Sequence, residues 1–172
     1  MRKGVAWLLA AVMGLALLAY RLNLPEEMPE DFAFSLTWGT FGISSYNSET
    51  GLLVKTTDVF ERDPAEYQTM LTLSDEQMAE VYALIRKLNP EAYPEKFDIS
   101  PFTGSDPSMT LGLSVRYGEY EKAVMCVDVA QYDDPHVVGK NKRFLECHKA
   151  IRDILTATPE WQALPDYEVH YA

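Results

Sequence analysis

Cys147 and His148 stand side by side in the chain, and a thiol next to an imidazole is the pairing from which reactive thiolates are made. Their setting argues against that chemistry. Both fall in a stretch of helical periodicity, where successive side chains point about 100° apart, so adjacency in sequence keeps them from sharing one site. The plainer reading is a helix face meeting a sheet, with His148 at its edge. His136, His148 and Cys147 carry the atoms for a metal site, but the three would have to converge from loop and helix, and their spacing follows no zinc pattern. Asp98, Ser100, Thr103, Ser105 and Asp106 gather oxygen ligands that suit calcium, yet they lack the alternating acids, central glycine and closing glutamate of an EF-hand loop. Asp133 and Asp134 offer paired carboxylates for acid–base work. A turn leading into a helix, with Asp134 as the cap, needs the same residues. The chain contains no Gly-x-Ser-x-Gly elbow, no phosphate-binding or dinucleotide-binding glycine loop, no His-Glu-x-x-His and no Cys-x-x-Cys. The expectation is therefore no catalytic, metal-binding or cofactor-binding residue.

Aromatic side chains remain as binding candidates. Trp38, Tyr46, Tyr117 and Tyr120 lie near expected strand ends or turns, where exposed rings can hold glycans or peptides. Core packing is the competing account of the same residues.

The elements that would carry these residues can be read from periodicity. Phe32, Phe34, Leu36 and Trp38 alternate with Ala33, Ser35 and Thr37, as in a half-buried strand. Gly39 and Gly42 interrupt it, which predicts a bulge or bend before the strand resumes over Ile43 to Tyr46. Asn47 to Gly51 is turn chemistry, and Leu52 to Thr57 returns as the partner strand. Tyr67 to Leu73 reads as a third strand. Ser74 and Gln77 form a capping box ahead of a helix whose apolar face is Met78, Val81, Leu84, Ile85 and Leu88, ended by Asn89-Pro90. Glu91 to Pro107 is a long, proline-rich connection. A hairpin follows, Met109 to Tyr117 and Ala123 to Val129, with its turn at Gly118-Glu119-Tyr120. Setting Ala123, Met125, Val127 and Val129 against the first strand's apolar set puts Val124 and Cys126 on the other face, and a one-residue change in turn length reverses that assignment. A second helix spans Val138 to Ala157, with Phe144, His148, Ile151 and Leu155 on one face. Thr158-Pro159 opens a short third helix, and Asp166 to Tyr171 alternates like a final edge strand. The order predicts an α+β domain: an antiparallel sheet built from two hairpin units, with two main helices packed on one face.

The N-terminus bears on location. Gly4 to Tyr20 is a run of seventeen uncharged residues, preceded by Arg2 and Lys3 and followed by Arg21. It reads as a signal anchor or signal peptide over residues 1–21, with the remainder outside the cytoplasm. Seventeen helical residues span roughly 25 Å, slightly short of a hydrocarbon core of about 30 Å, and Leu22 and Leu24 can extend the run. A cleavable signal needs small residues one and three before the cut, and the best site, after Ala19, has Leu17 at the third. This favours an uncleaved, single-pass anchor, with secretion as the alternative. Residues 22–31 are acidic and proline-bearing, which predicts a poorly ordered tether. Residues 32–172 then form one extracytoplasmic domain. The whole chain carries a net charge of −11, and setting aside Arg2, Lys3 and Arg21 leaves −14 on the remainder. Such a balance disfavours nucleic acid and anionic lipid as partners of the folded part. Outside the cytoplasm a disulfide between Cys126 and Cys147 is chemically permitted, and two buried free thiols are the alternative.

Several stretches resemble a group of small exported or membrane-anchored bacterial proteins of unknown function. They are Phe34-Ser35-Leu36-Thr37-Trp38-Gly39, Gly42 to Tyr46 with Thr50-Gly51, Leu73 to Gln77, Pro107 to Leu111, and Thr158 to Tyr167. The resemblance covers most of residues 32–171 and supports the export and single-domain readings. It implies no activity. The expected function is a non-enzymatic binding module, held to the membrane by its N-terminal helix, for a protein or glycan ligand. A small extracytoplasmic hydrolase acting on envelope material is the alternative.

Overall fold

The computed structural model describes residues 24–40, 43–56, 63–99 and 108–166. They form an α+β fold built on one seven-stranded sheet in the order β4-β3-β2-β1-β6-β7-β5. The strands are β1 (Ala33–Trp38), β2 (Ser44–Asn47), β3 (Leu52–Val54), β4 (Gln68–Met70), β5 (Lys96–Asp98), β6 (Met109–Tyr117) and β7 (Tyr120–Val129). The helices are α1 (Asp75–Leu88), α2 (Gly139–Thr156) and the short α3 (Pro159–Ala163). Strands β4 to β1 form an antiparallel meander, and β1 also pairs antiparallel with β6, which pairs with β7.

Helix α1 starts as its sequence requires. Ser74 Oγ accepts from the Gln77 N–H at 3.3 Å, and Gln77 returns the bond to the Ser74 N–H at 2.9 Å. A cap of this kind contributes about 1 kcal/mol. Asn89 ends the helix in the left-handed conformation, at φ 55. Thr158 caps α3 through its hydroxyl.

Period-2 burial along the strands and a stripe along each helix build one core. Phe34, Leu36, Trp38, Tyr46, Leu53, Leu111, Leu113 and Val115 pack with Val81 and Ile85 of α1 and Phe144, Ile151 and Leu155 of α2. The alternate strand positions, Ser35, Thr37, Ser45, Gly112, Ser114, Ala123 and Met125, stay outside it.

Five expectations change. Gly39 does not mark a bulge within one strand: the chain reverses, and Ser44 to Asn47 pairs back against Ser35 to Trp38 as a separate strand. The Tyr67–Leu73 strand shrinks to Gln68–Met70, because Pro64–Tyr67 is a 3-10 turn. The long connection contains a strand, β5, which runs parallel to β7, so the sheet is mixed. The β6–β7 turn holds two residues, with Tyr117 opposite Tyr120, and this places Val124 and Cys126 in the core and Ala123 and Met125 outside. A bulge at Asp128, at φ 57, then shifts the phase by one residue and returns Val129 to the core. Finally, residues 24–31 are pinned. Leu24 is buried, Tyr82 Oη donates to the Pro25 carbonyl at 2.7 Å, and Asp31 Oδ2 accepts from the Gly118 N–H at 2.6 Å.

The described residues contain no helix long and apolar enough to cross a membrane. The Gly4–Tyr20 run lies outside them, as does the expected strand beyond Asp166.

Candidate functional site

His148 is fully buried on the inner face of α2. Its Nε2 lies 3.1 Å from the Thr37 carbonyl, which can only accept, so this nitrogen carries the proton. Nδ1 is then the acceptor for Tyr132 Oη at 3.0 Å. Burial pushes the imidazole down to about 4. Tyr132 is itself covered by the Arg152 guanidinium, 4.3 Å from the ring centre. The chain of contacts ties α2 to the sheet and to the loop before the helix, and every polar atom of the ring is used.

Cys147 points elsewhere. Its Sγ donates to the Leu84 carbonyl of α1 at 3.5 Å. Cys126 is in the sheet core. Both are free thiols, so the bridge that export would permit is not formed, and burial pushes each thiol up to about 12. Such thiols are poor nucleophiles at neutral pH.

His136 is exposed and donates its backbone N–H to Asp134 Oδ1 at 2.8 Å. Asp134 closes that local turn rather than capping α2, whose first residue follows Val138 without a side-chain cap. Asp98 is exposed in β5, while Ser100, Thr103, Ser105 and Asp106 lie outside the described residues. Among the described residues, no three of His, Cys, Asp and Glu gather closely enough to hold a metal ion.

The four aromatic candidates lie on the helix side of the sheet. Trp38 packs on Trp161 at 5.5 Å, Tyr46 is buried with its hydroxyl 3.3 Å from the Leu71 carbonyl, and Tyr117 stacks on Tyr120 at 4.8 Å. They serve packing.

Among the described residues no helix packs on the opposite sheet face, which carries a depression. About 430 Å³ in volume, it is floored by Ser35, Thr37, Gly112, Ser114 and Ala123 and walled by Met125 and Lys96. The floor is low because the outward side chains of the central strands are small. Gly112 has none, and a Cβ there would run into Thr37 Oγ1. A second depression of about 170 Å³ shares Ser35 and Ser114 and adds Asn47, Glu49, Arg116 and Glu121. Arg116 pairs with Glu49 at 2.6 Å across it. The open face thus offers an apolar half, rimmed by exposed Met125, that runs into a polar half with one cation and two carboxylates. It can bind a ligand with both characters, and no nucleophile–base pair stands in either half. The alternation of Ser35, Thr37, Gly112 and Ser114 was the available sequence signal. Small side chains carry no chemistry of their own, so that alternation acquires meaning only once the strands lie side by side.

Compared with known proteins, the chain matches no family model and no curated sequence.

Proposed function

We infer that the protein is a non-enzymatic binding module, anchored in the membrane by Gly4 to Tyr20, with residues 24–166 outside the cytoplasm. The open sheet face is its binding surface. One observation carries the reading: among the described residues, helices cover one side of the sheet and leave the other as a shallow platform of small side chains. Buried apolar surface drives association, and small polar residues set orientation at low desolvation cost. The partner suited to it is an extended peptide or glycan laid across β1, β6 and β7. The alternative, a hydrolase, would have to use the exposed Glu49 and Glu121, because His148, Cys126 and Cys147 are all buried in the core.

A photo-crosslinking residue placed at Ser114 in the full-length chain in intact cells, against a control at exposed Ala79 of α1, tests this. The expected result is a light-dependent adduct from position 114 and none from 79, lost when Met125→Arg is added. Adducts of equal yield from both faces, or none from 114, would overturn it. Loss of the adduct to protease or to glycosidase identifies its class.

A further inference from the structure

Leu24 is the first described residue. Leu24 is buried and lines one depression with Ala83, Arg86 and Lys87, which share one face at the C-terminal end of α1. Arg21, at the end of the apolar run, is three residues earlier. Three residues reach at most about 11 Å. The headgroup layer on each side of a bilayer is roughly 5–7 Å deep. If Gly4 to Tyr20 spans the membrane, as proposed above, Leu24 stands at most about 4–6 Å beyond the headgroups, a gap that extended lysine and arginine side chains bridge.

Five basic side chains gather at that end of an otherwise acidic protein, with Glu91 and Glu95 in the turn beyond α1 as the acidic residues nearest in sequence. Arg86 and Lys87 close α1. Lys140, Lys142 and Arg143 open α2 beside them: Tyr93, just beyond α1, donates its hydroxyl to the Lys140 carbonyl at 2.6 Å and lies under the Lys140 ammonium. All five are exposed. Complementing helix dipoles accounts for the first pair only, since cations are favoured at a helix C-terminus. At the start of α2 the same charges oppose the dipole, and its first turn holds no acidic residue. Glu146 pairs with Lys142, at 3.9 Å. Glu26 and Glu27 follow Leu24, but the bonds from Tyr82 Oη to the Pro25 and Glu27 carbonyls carry that stretch back toward an earlier turn of α1. Acidic groups elsewhere on the domain act weakly here, because salt screens charge over about 8–10 Å.

We propose that the end of the helical layer formed by Arg86, Lys87, Lys140 and Arg143 seats on anionic phospholipid headgroups, fixing the orientation of the domain on the membrane. The inference rests on the anchor reading. The sheet platform lies on the other side of the molecule from the helices and is left free.

The full-length chain reconstituted in vesicles tests both separately. Cys126 and Cys147 are buried, so a cysteine placed at exposed Ala83 takes a fluorophore selectively; one at Met125 on the platform is the control. Quenching by headgroup spin label is compared between phosphatidylcholine alone and phosphatidylcholine with phosphatidylglycerol. The expected result is stronger quenching at 83 with phosphatidylglycerol and none at 125. Arg86→Glu with Lys87→Glu should remove the difference, as should Lys140→Glu with Arg143→Glu, each basic group being worth about fivefold in the ratio of seated to free domain. Equal quenching in the two lipids, with the protein resisting alkaline carbonate extraction, overturns the proposal and leaves the anchor standing. Release by carbonate overturns both.

Discussion

At the scale of single residues, His148 shows how a reactive side chain becomes a structural one. Sequence periodicity placed it on the inner face of the second helix, at the edge of the sheet. Its two partners, the Thr37 carbonyl and Tyr132 Oη, are distant in sequence and were not legible there. They decide its chemistry, because a fully buried ring with both nitrogens engaged is held neutral. The consequence for stability has a definite sign. The imidazole titrates at about 4 folded against an ordinary 6.5. Below pH 6.5 the unfolded chain therefore binds the proton that the folded one refuses. Stability should be insensitive to this group above about pH 6.5 and should fall as pH drops toward 4, by roughly 3 kcal/mol at most. Urea melts across pH 4 to 7 measure it. His148→Leu should flatten that slope while lowering stability at pH 7 by about 1–3 kcal/mol, since the Thr37 carbonyl loses its donor. A slope that survives the substitution would assign the effect to another group.

At the scale of elements, what was legible followed local chemistry. The capping box at Ser74 and Gln77 and the Thr158 cap are each written within four residues, the apolar stripe of α1 within eleven, and each formed as read. What was not legible depended on pairing. Strand β5 is three residues long, and only β7 beside it makes it a strand. The facing of Cys126 turned on whether the hairpin loop held two residues or three. The same limit hid the sheet platform, whose small residues become a floor only when three strands lie side by side. The end of α1 carries a correctable flaw. Asn89 adopts φ 55 and buries Oδ1 without a hydrogen-bond partner. Asn89→Gly removes the orphaned oxygen and suits the left-handed backbone. It should raise the urea midpoint by an amount equivalent to about 0.5–1 kcal/mol, with an unchanged slope. A lower midpoint would mean that the Asn side chain contributes more than this geometry shows.

At the scale of the whole molecule, net charge and tether composition both proved coarse guides. A formal balance of −14 speaks for the average surface and hides a basic end. The stretch before the first strand has the composition of a linker. It is held nonetheless, by Leu24 against α1, by Tyr82 and by Asp31, through partners more than fifty residues away. Tyr82→Phe deletes the 2.7 Å bond to the Pro25 carbonyl and should cost about 1 kcal/mol. Its clearer readout is local: protease cleavage within residues 24–28 should speed up several-fold while the global melt moves little. Unchanged cleavage would show that Leu24 alone holds the segment.

The strand order has a further consequence, for the time before the molecule is complete. Strands β1 to β4 form a meander of near neighbours, able to pair as soon as they emerge. The other edge of β1 is completed only by β6, with Thr37 opposite Gly112 and Ala33 opposite Arg116. All of α1 and β5 must be made in between. Until then β1 presents an unpaired edge with Phe34, Leu36 and Trp38 on one side of it, a ready template for the same strand of another nascent chain. Substitutions that weaken β6 should therefore show first as lost yield during biosynthesis, ahead of any change in the finished domain.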